Sequence, residues 1–433
     1  MAMLCEQGEH LLKEFDEKNH SRARISQIAE DVWFVSALGH SNAVFIEGED
    51  SVILIDALDT AERGEKLRSI IREHTRKPVS TIIYTHGHPD HRGGAGAFRD
   101  EAREIIASKP AAPILSGTEI LKDIQGIRGK RQFGYGLSDE EALSQGLGPR
   151  EGINYGEHHD FLPPTTLYDE ELVIREISGV RLELRRLPGE TDDQIAVWIP
   201  ERLTLCCGDN YYGCFPNLYA IRGGQYRDIA SWIRSLGVLM EYPAEHLLPG
   251  HTGAVNGRKA ITEVLGNYKG MMEYILSETL RGMNEGKTAD ELSHEIRLPE
   301  KYAELDYLGE HYGCVEWTVR EIYAAYLGWF SGRPSELHPL SESERSRKLI
   351  PMMGGAQKVL ASAKEAFGKG EYQFCLELCD MLGAQEGGKD LVLDKEARLL
   401  SADAMEALSK LETSANGRHY YIACAKEIRE KLR

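Results

Sequence analysis

Long hydrophobic runs are missing from this chain. No stretch reaches the roughly 18 apolar residues that a membrane-spanning helix needs, so no membrane association is expected. The opening residues, MAMLCEQGEHLLKEFDEKNH, are polar and acidic and lack the apolar centre of a secretory signal. Positive charge is scarce too: 51 Lys and Arg stand against 69 Asp and Glu, for a formal net charge of −18. Nucleic acids and anionic membranes bind Lys/Arg patches, so neither is an expected partner. Disulfide spacing is absent. The eight cysteines (Cys5, Cys206, Cys207, Cys214, Cys314, Cys375, Cys379 and Cys424) are scattered, which points to a reducing, cytoplasmic setting. Cys375 and Cys379 stand one helical turn apart and read as core thiols.

The chain does have the makings of a large core. It holds 433 residues, 42% of them hydrophobic, enough for two or three domains. Residues 1–24 read as a polar helix or arm. VWFVSA (32–37), NAVFIEG (42–48) and SVILIDAL (51–58) read as strands, and the last is apolar enough to be buried on both faces. TAERGEKLRSIIREHT (60–75) carries Leu67, Ile70 and Ile71 at helical spacing. IIYT then leads as a buried strand into THGHPDH, and REIIASKPAAPIL repeats the helix-to-strand theme. Such alternation indicates an α/β layer. LVIREI, VRLELRRLP, QIAVWIP and LTLCCGD form a second set of strands, and HLLPGH closes it. An αββα sandwich needs strands from both halves in this way.

Two regions differ. Residues 125–165 are rich in loops, Gly and Pro, and hold His158, His159 and several aromatics, as an insertion over a site would. From 255 the pattern turns helical. Ile261, Val264, Leu265 and Tyr268 mark one face of a helix over 258–285, and Thr288 with Glu291 forms a capping box. Residues 355–433 resemble stacked helix hairpins of the tetratricopeptide kind. The expected division is a catalytic part, 1–254, and an α-helical part, 255–433.

The chemical signal is THGHPDH at 85–91. His86, His88, Asp90 and His91 lie within six residues, directly after a buried strand. Imidazole and carboxylate are the ligands of a hydrolytic zinc site, which keeps a position open for water. His86 and His88 alternate about a tight turn and suit one ion, while Asp90 and His91 suit a second. Two such ions can activate a water and clamp the attacked group.

THGHPDH resembles the THxHxDH signature of the metallo-β-lactamase superfamily, and Asp56 in VILIDAL matches an early-strand Asp that orients a ligand there. The closer resemblance is to the alkyl sulfatases of that superfamily. NAVFIEGEDSVILIDAL, NLYAIRGGQYRD (217–228), YLGWFSGRPSELHPL (326–340) and MMGGAQKVLASAKEAFGKGEY (352–372) carry it, over residues 28–430. The sterol-carrier-like domain usual at the C-terminal end of these sulfatases is not expected. The resemblance implies three further ligands: Glu190 in PGETDD for the first zinc, Asp209 in CGDN as the bridge where the family has Glu, and His251 in LLPGHTG for the second. Asp90 and Asp209 are the expected catalytic carboxylates. It also implies that Asn217 and Arg222 hold the anionic group of a small ester, since a sulfate calls for planar donors. Arg227 is expected to pair with Asp228 or another acid.

The expected activity is hydrolysis of an organic sulfate ester to alcohol and inorganic sulfate, through a metal-activated hydroxide, by a homodimer. Hydrolysis of another ester (lactone, thioester or phosphodiester) stays open, as does a helical scaffold with a vestigial site. One departure bears on the choice. The sulfatases carry YG-x-V-x-H-N, with the His a proton donor; here the run is Tyr312-Gly313-Cys314-Val315-Glu316-Trp317-Thr318. Indole is no general acid, and Glu316 or His311 would approach from a different face of the helix.

Overall fold

A computed structural model describes residues 4–110, 118–384 and 391–433. Two sheets pack face to face. The first has seven strands in sequential order: β1 (Arg24–Ala29), β2 (Val32–Ser36), β3 (Ala43–Glu47), β4 (Val52–Ile55), β5 (Val79–Ile83), β6 (Glu104–Ser108) and β7 (Thr166–Tyr168). The second has six: β8 (Leu172–Ile177), β9 (Val180–Arg186), β10 (Ile195–Ile199), β11 (Thr204–Gly208), β12 (His246–Pro249) and β13 (Val255–Asn256). β1 to β4 form an antiparallel meander, and β4 to β7 run parallel. The helix Ala61–His74 makes the crossover from β4 to β5.

Strand alternation explains why β2, β3 and β4 are almost wholly apolar. Side chains of successive residues point to opposite faces. Val32, Phe34, Val44, Ile46, Ile53 and Ile55 face the second sheet, meeting Leu182, Leu184, Ile195, Val197 and Cys206. Trp33, Val35, Phe45 and Leu54 face outward and are covered by Leu67 and Ile71 of the crossover helix and by Phe98. The outer face of the second sheet, with Ala196, Trp198, Leu205 and Cys207, is covered by the helices Ile229–Leu239 and Arg258–Asn284. Helix, sheet, sheet and helix form the four layers.

The helices continue beyond that layer. The capping box at Thr288 forms with both of its hydrogen bonds, and the helix Val315–Leu327 packs into the same apolar cluster as the sandwich helices. Four helices (Ala356–Gly368, Tyr372–Gly383, Leu391–Leu411, Ala415–Lys431) stack as antiparallel neighbours, with Cys375 and Cys379 in their core. Among the described residues no helix is long and apolar enough to cross a membrane.

One strand was not expected, and two expectations need correction. RISQIA is a strand, β1, although its first four residues are exposed and no apolar alternation marks it. The 125–165 stretch is less loop-like than its composition: Lys122–Gln132 is a helix and Asp139–Ala142 a helical turn with its own capping box. SVILIDAL yields only a four-residue strand, because Asp56 and Leu58 take left-handed backbone angles (φ 57° and 65°). The AAPIL part of the segment after β6 lies outside the described residues.

Candidate active site

The site is assembled by turns that follow strands. Asp56 follows β4, the THGHPDH loop follows β5, Glu190 follows β9, and Asp209 and His251 follow β11 and β12. Asp56, in its left-handed conformation, aims its carboxylate along the loop. It accepts from the Thr85 amide (2.8 Å) and hydroxyl (2.7 Å) and pairs with His91 Nδ1 at 2.7 Å. The ring of His91 is thereby fixed with Nε2 turned inward. His86 Nδ1 meets the Thr85 hydroxyl at 3.2 Å, and His251 Nδ1 meets the His40 carbonyl at 2.8 Å, which turns both Nε2 atoms to the same centre. Gly250 is needed for the approach: a Cβ there would lie 2.0 Å from Asp209 Oδ1 and 2.9 Å from His91 Cε1.

One atom each from His86, His88, Glu190 and Asp209 lie within 4.8 Å of one another, as do one each from His91, Asp209 and His251. Asp209 belongs to both groups. Its Oδ2 is 3.7 Å from His86 Nε2 and 3.2 Å from His251 Nε2, and its Oδ1 is 3.4 Å from His91 Nε2. Asp90 Oδ2 lies 3.3 Å from His91 Nε2 and 3.5 Å from His251 Nε2. The seven residues singled out from the sequence thus meet in one place. His40 joins Asp90 and His251 in a third such group, and nothing about a lone His after β2 marked it beforehand.

The donor set fits metal ions. Among the described residues, nothing hydrogen-bonds to the buried His86 Nε2, His91 Nε2 and Asp209 Oδ1. Buried polar atoms left unpaired are costly, so a converging set of them is explained by a cation between them. Protonation agrees. Burial, then the neighbouring His91 and His88, hold His86 well below the usual imidazole range. Burial and the two cations Arg227 and Arg222 push His88 down to about 3. Burial works against charge on Asp209, but His251, His91 and His86 outweigh it and keep the carboxyl far below its ordinary value. Burial likewise opposes charge on His91, and Asp209, Asp90 and Asp56 overcome it, so His91 is held well above the usual value. Burial pushes Glu190 up to about 8, with Arg227 opposing and Asp209 reinforcing.

A cavity of about 350 Å³ opens over this centre. Asn217, Arg222 and Arg227 form one wall. Among the described residues the Asn217 side-chain oxygen has no hydrogen-bond partner, and the Arg222 guanidinium donates to the Gly223 carbonyl (3.1 Å). Arg227 pairs with Glu190, whereas its neighbour Asp228 caps the next helix at the Ala230 amide (3.0 Å); the acid Arg227 takes is therefore one of the metal cluster. The 125–165 segment adds Gln132, Phe133, Tyr135, Leu147, Glu151 and His159 to the lining, and Gln132 joins the two groups by accepting from the Arg222 amide at 2.8 Å. His158 turns away to Glu62. Trp317, Glu316 and His311 do not line the cavity, although Tyr312 does.

Four layers with a His/carboxylate cluster at one edge define a metallo-β-lactamase fold, and the sequence model of the Metallo-beta-lactamase superfamily matches residues 37–251. The model for alkyl sulfatase dimerisation matches residues 288–431. The chain is 33% identical over 400 residues to a linear primary-alkylsulfatase of a Pseudomonas species, covering 89% of this chain and 74% of that one. It is 30% identical over 421 residues to an alkyl/aryl-sulfatase of Saccharomyces cerevisiae, covering 93% of this chain and 64% of that one. A solved double mutant of the sec-alkyl sulfatase PisA1 superposes with a TM-score of 0.83 at 26% identity, over 94% of this chain and 66% of that one. The chain belongs to the alkylsulfatase family of the metallo-β-lactamase superfamily.

Proposed function

We propose that the protein hydrolyses an alkyl sulfate ester to alcohol and inorganic sulfate with two zinc ions per chain. The observation that carries this reading is a converging donor set, five of whose members (His88, Asp90, Glu190, Asp209 and His251) line one cavity with Asn217 and two arginines. His86, His88 and Glu190 would hold one ion, Asp90, His91 and His251 the other, and Asp209 both. When bound, such ions lower the pKa of water and neutralise charge on the attacked group.

The protein's own groups do the rest. Arg222 and Arg227 supply local positive charge inside a chain of net charge −18, so the field of the cavity opposes that of the whole surface. With the Asn217 carboxamide they would hold the sulfate oxygens. Asp90 and Asp209, both kept ionised, are the acceptors that orient the attacking water.

The same reading divides the chain into a catalytic part, 1–254, and a helical part, 255–433. From Arg258 onward the described elements are helical, after the short strand β13. The dimerisation match supports a homodimer, and eight free cysteines support a cytoplasmic setting.

The test is turnover by metal-loaded protein. Sulfate release from alkyl sulfates of graded length, with about two zinc ions per chain by elemental analysis, is expected. Turnover of a lactone, thioester or phosphodiester with no sulfate release from any alkyl sulfate would replace this reading.

A further inference from the structure

An alkoxide is a poor leaving group and needs a proton as the S–O bond breaks. The residue at the family's histidine position, Trp317, does not line the cavity. Nor do its neighbours: Glu316 pairs with Arg320 at 3.4 Å, and His311 stacks on Phe15 with ring centroids 4.2 Å apart. The cavity wall holds a different pair. Tyr135 and Glu151 both line it, and a hydrogen bond joins the Tyr135 hydroxyl to Glu151 Oε2. Gln145 locks the carboxyl from behind. Its amide donates to Glu151 Oε1 at 2.7 Å, and its side-chain oxygen accepts from the Glu151 backbone amide at 2.9 Å. Among the described residues no Lys or Arg pairs with Glu151, although the carboxyl is buried.

We propose that Tyr135 is the proton donor to the leaving oxygen, with Glu151 as the positioning residue that holds its hydroxyl and resupplies its proton. This rests on the reading of the site as a sulfate-ester hydrolase cleaving the S–O bond. The water oxygen bonds to sulfur as the sulfur–alkoxy bond breaks. The Tyr135 proton passes to the alkoxy oxygen, and the Glu151 proton passes to the tyrosyl oxygen. The attacking water gives its proton to solvent, and Glu151 is reprotonated from solvent. Burial pushes Glu151 up to about 8, against the Tyr135 hydrogen bond and with Asp90 and Asp59 reinforcing, so at neutral pH the carboxyl carries its proton and can donate it to the Tyr135 oxygen, which frees the phenol proton for the leaving oxygen. Burial and Glu151 hold the Tyr135 hydroxyl well above its ordinary value, so it stays protonated until charge develops on the alkoxy oxygen.

The experiment compares Tyr135→Phe and Glu151→Gln with wild type, all metal-loaded, on an alkyl sulfate and on 4-nitrophenyl sulfate. The nitrophenolate leaves without protonation. The alkyl-sulfate kcat of both variants is expected to fall by about 10²-fold or more, and by at least about tenfold more than kcat on the aryl ester. A purely structural role for the pair would lower both substrates alike; equal losses, or no loss, overturn the proposal. Wild-type turnover in ¹⁸O-labelled water adds a second criterion. Label in the sulfate is expected. Label in the alcohol shows C–O cleavage, which needs no donor: it overturns this proposal and leaves the hydrolase reading intact. Absence of sulfate release from both esters by wild type overturns the functional reading itself.

Discussion

Arg227 donates from one guanidinium nitrogen to both Glu190 and the Asn217 carbonyl. It ties a carboxylate of the metal cluster to the segment that carries Asn217 and Arg222. The tie has an electrostatic sign. Arg227 works against the burial that pushes Glu190 up to about 8, so removing it raises the affinity of Glu190 for its proton. A metal must displace that proton at neutral pH. Arg227→Met is therefore expected to extend the rise of zinc affinity with pH to higher pH than in wild type, and to raise KM for an alkyl sulfate. Zinc titration calorimetry in two buffers of different ionisation enthalpy checks it. Unchanged affinity and proton release would contradict the coupling.

Asp56 supports the cluster without reaching its centre. Asp56→Asn keeps the shape but places an amide where the carboxylate fixes His91 Nδ1 at 2.7 Å. A loss of about 10–100-fold in metal affinity is expected. Competition with a chromophoric chelator measures it, and wild-type affinity would show that His91 is oriented by other means.

Gly250→Ala tests the close approach. The added Cβ, 2.0 Å from Asp209 Oδ1, must displace the carboxylate shared by both donor groups. Bound zinc is expected to drop below two per chain, with kcat reduced by at least about 10²-fold. Elemental analysis beside kinetics decides it, and full loading with normal turnover would refute the packing argument.

Away from the site, Glu412 carries a pH dependence. It is buried and accepts from the Ser414 amide at 2.9 Å. Burial pushes its carboxyl up from 4.5 to about 8, with the Ser414 amide opposing and Glu310 reinforcing. The folded state keeps a proton that the unfolded chain releases near 4.5, so stability falls as pH rises from about 4.5 to 8. Glu412→Gln keeps an acceptor for Ser414 and removes the titration. It is expected to be more stable than wild type at pH 8.5, by on the order of 2–4 kcal/mol, with little difference at pH 4.5. Urea unfolding at the two pH values measures this; a gap independent of pH would rule out Glu412 as the source.

Sequence pattern reveals local order more readily than distant pairing. Runs such as VWFVS and AVFIE are strands because all residues but the last are apolar, which suits a sheet covered on both faces. β1 escapes that logic because it is an edge strand with exposed side chains and is held by its ladder to β2. The helix Lys122–Gln132 escapes it as well, since Ile124 and Ile127 are exposed and leave no clean apolar stripe. Arg227 was legible as a paired arginine, but its partner, Glu190, lies 37 residues away in sequence.

The chain's residues alone determined the chemistry of the metal cluster. His86, His88, Asp90 and His91 fall in one loop, so their proximity is local, and the family pattern supplied Glu190, Asp209 and His251. Tertiary structure decided what surrounds them. It brought His40 beside Asp90, set Tyr135 against Glu151 on the cavity wall, and left Trp317 outside. Those relationships depend on how the 125–165 segment and the helix Val315–Leu327 pack around the sandwich edge. Packing between segments far apart in the chain has no periodicity to announce it.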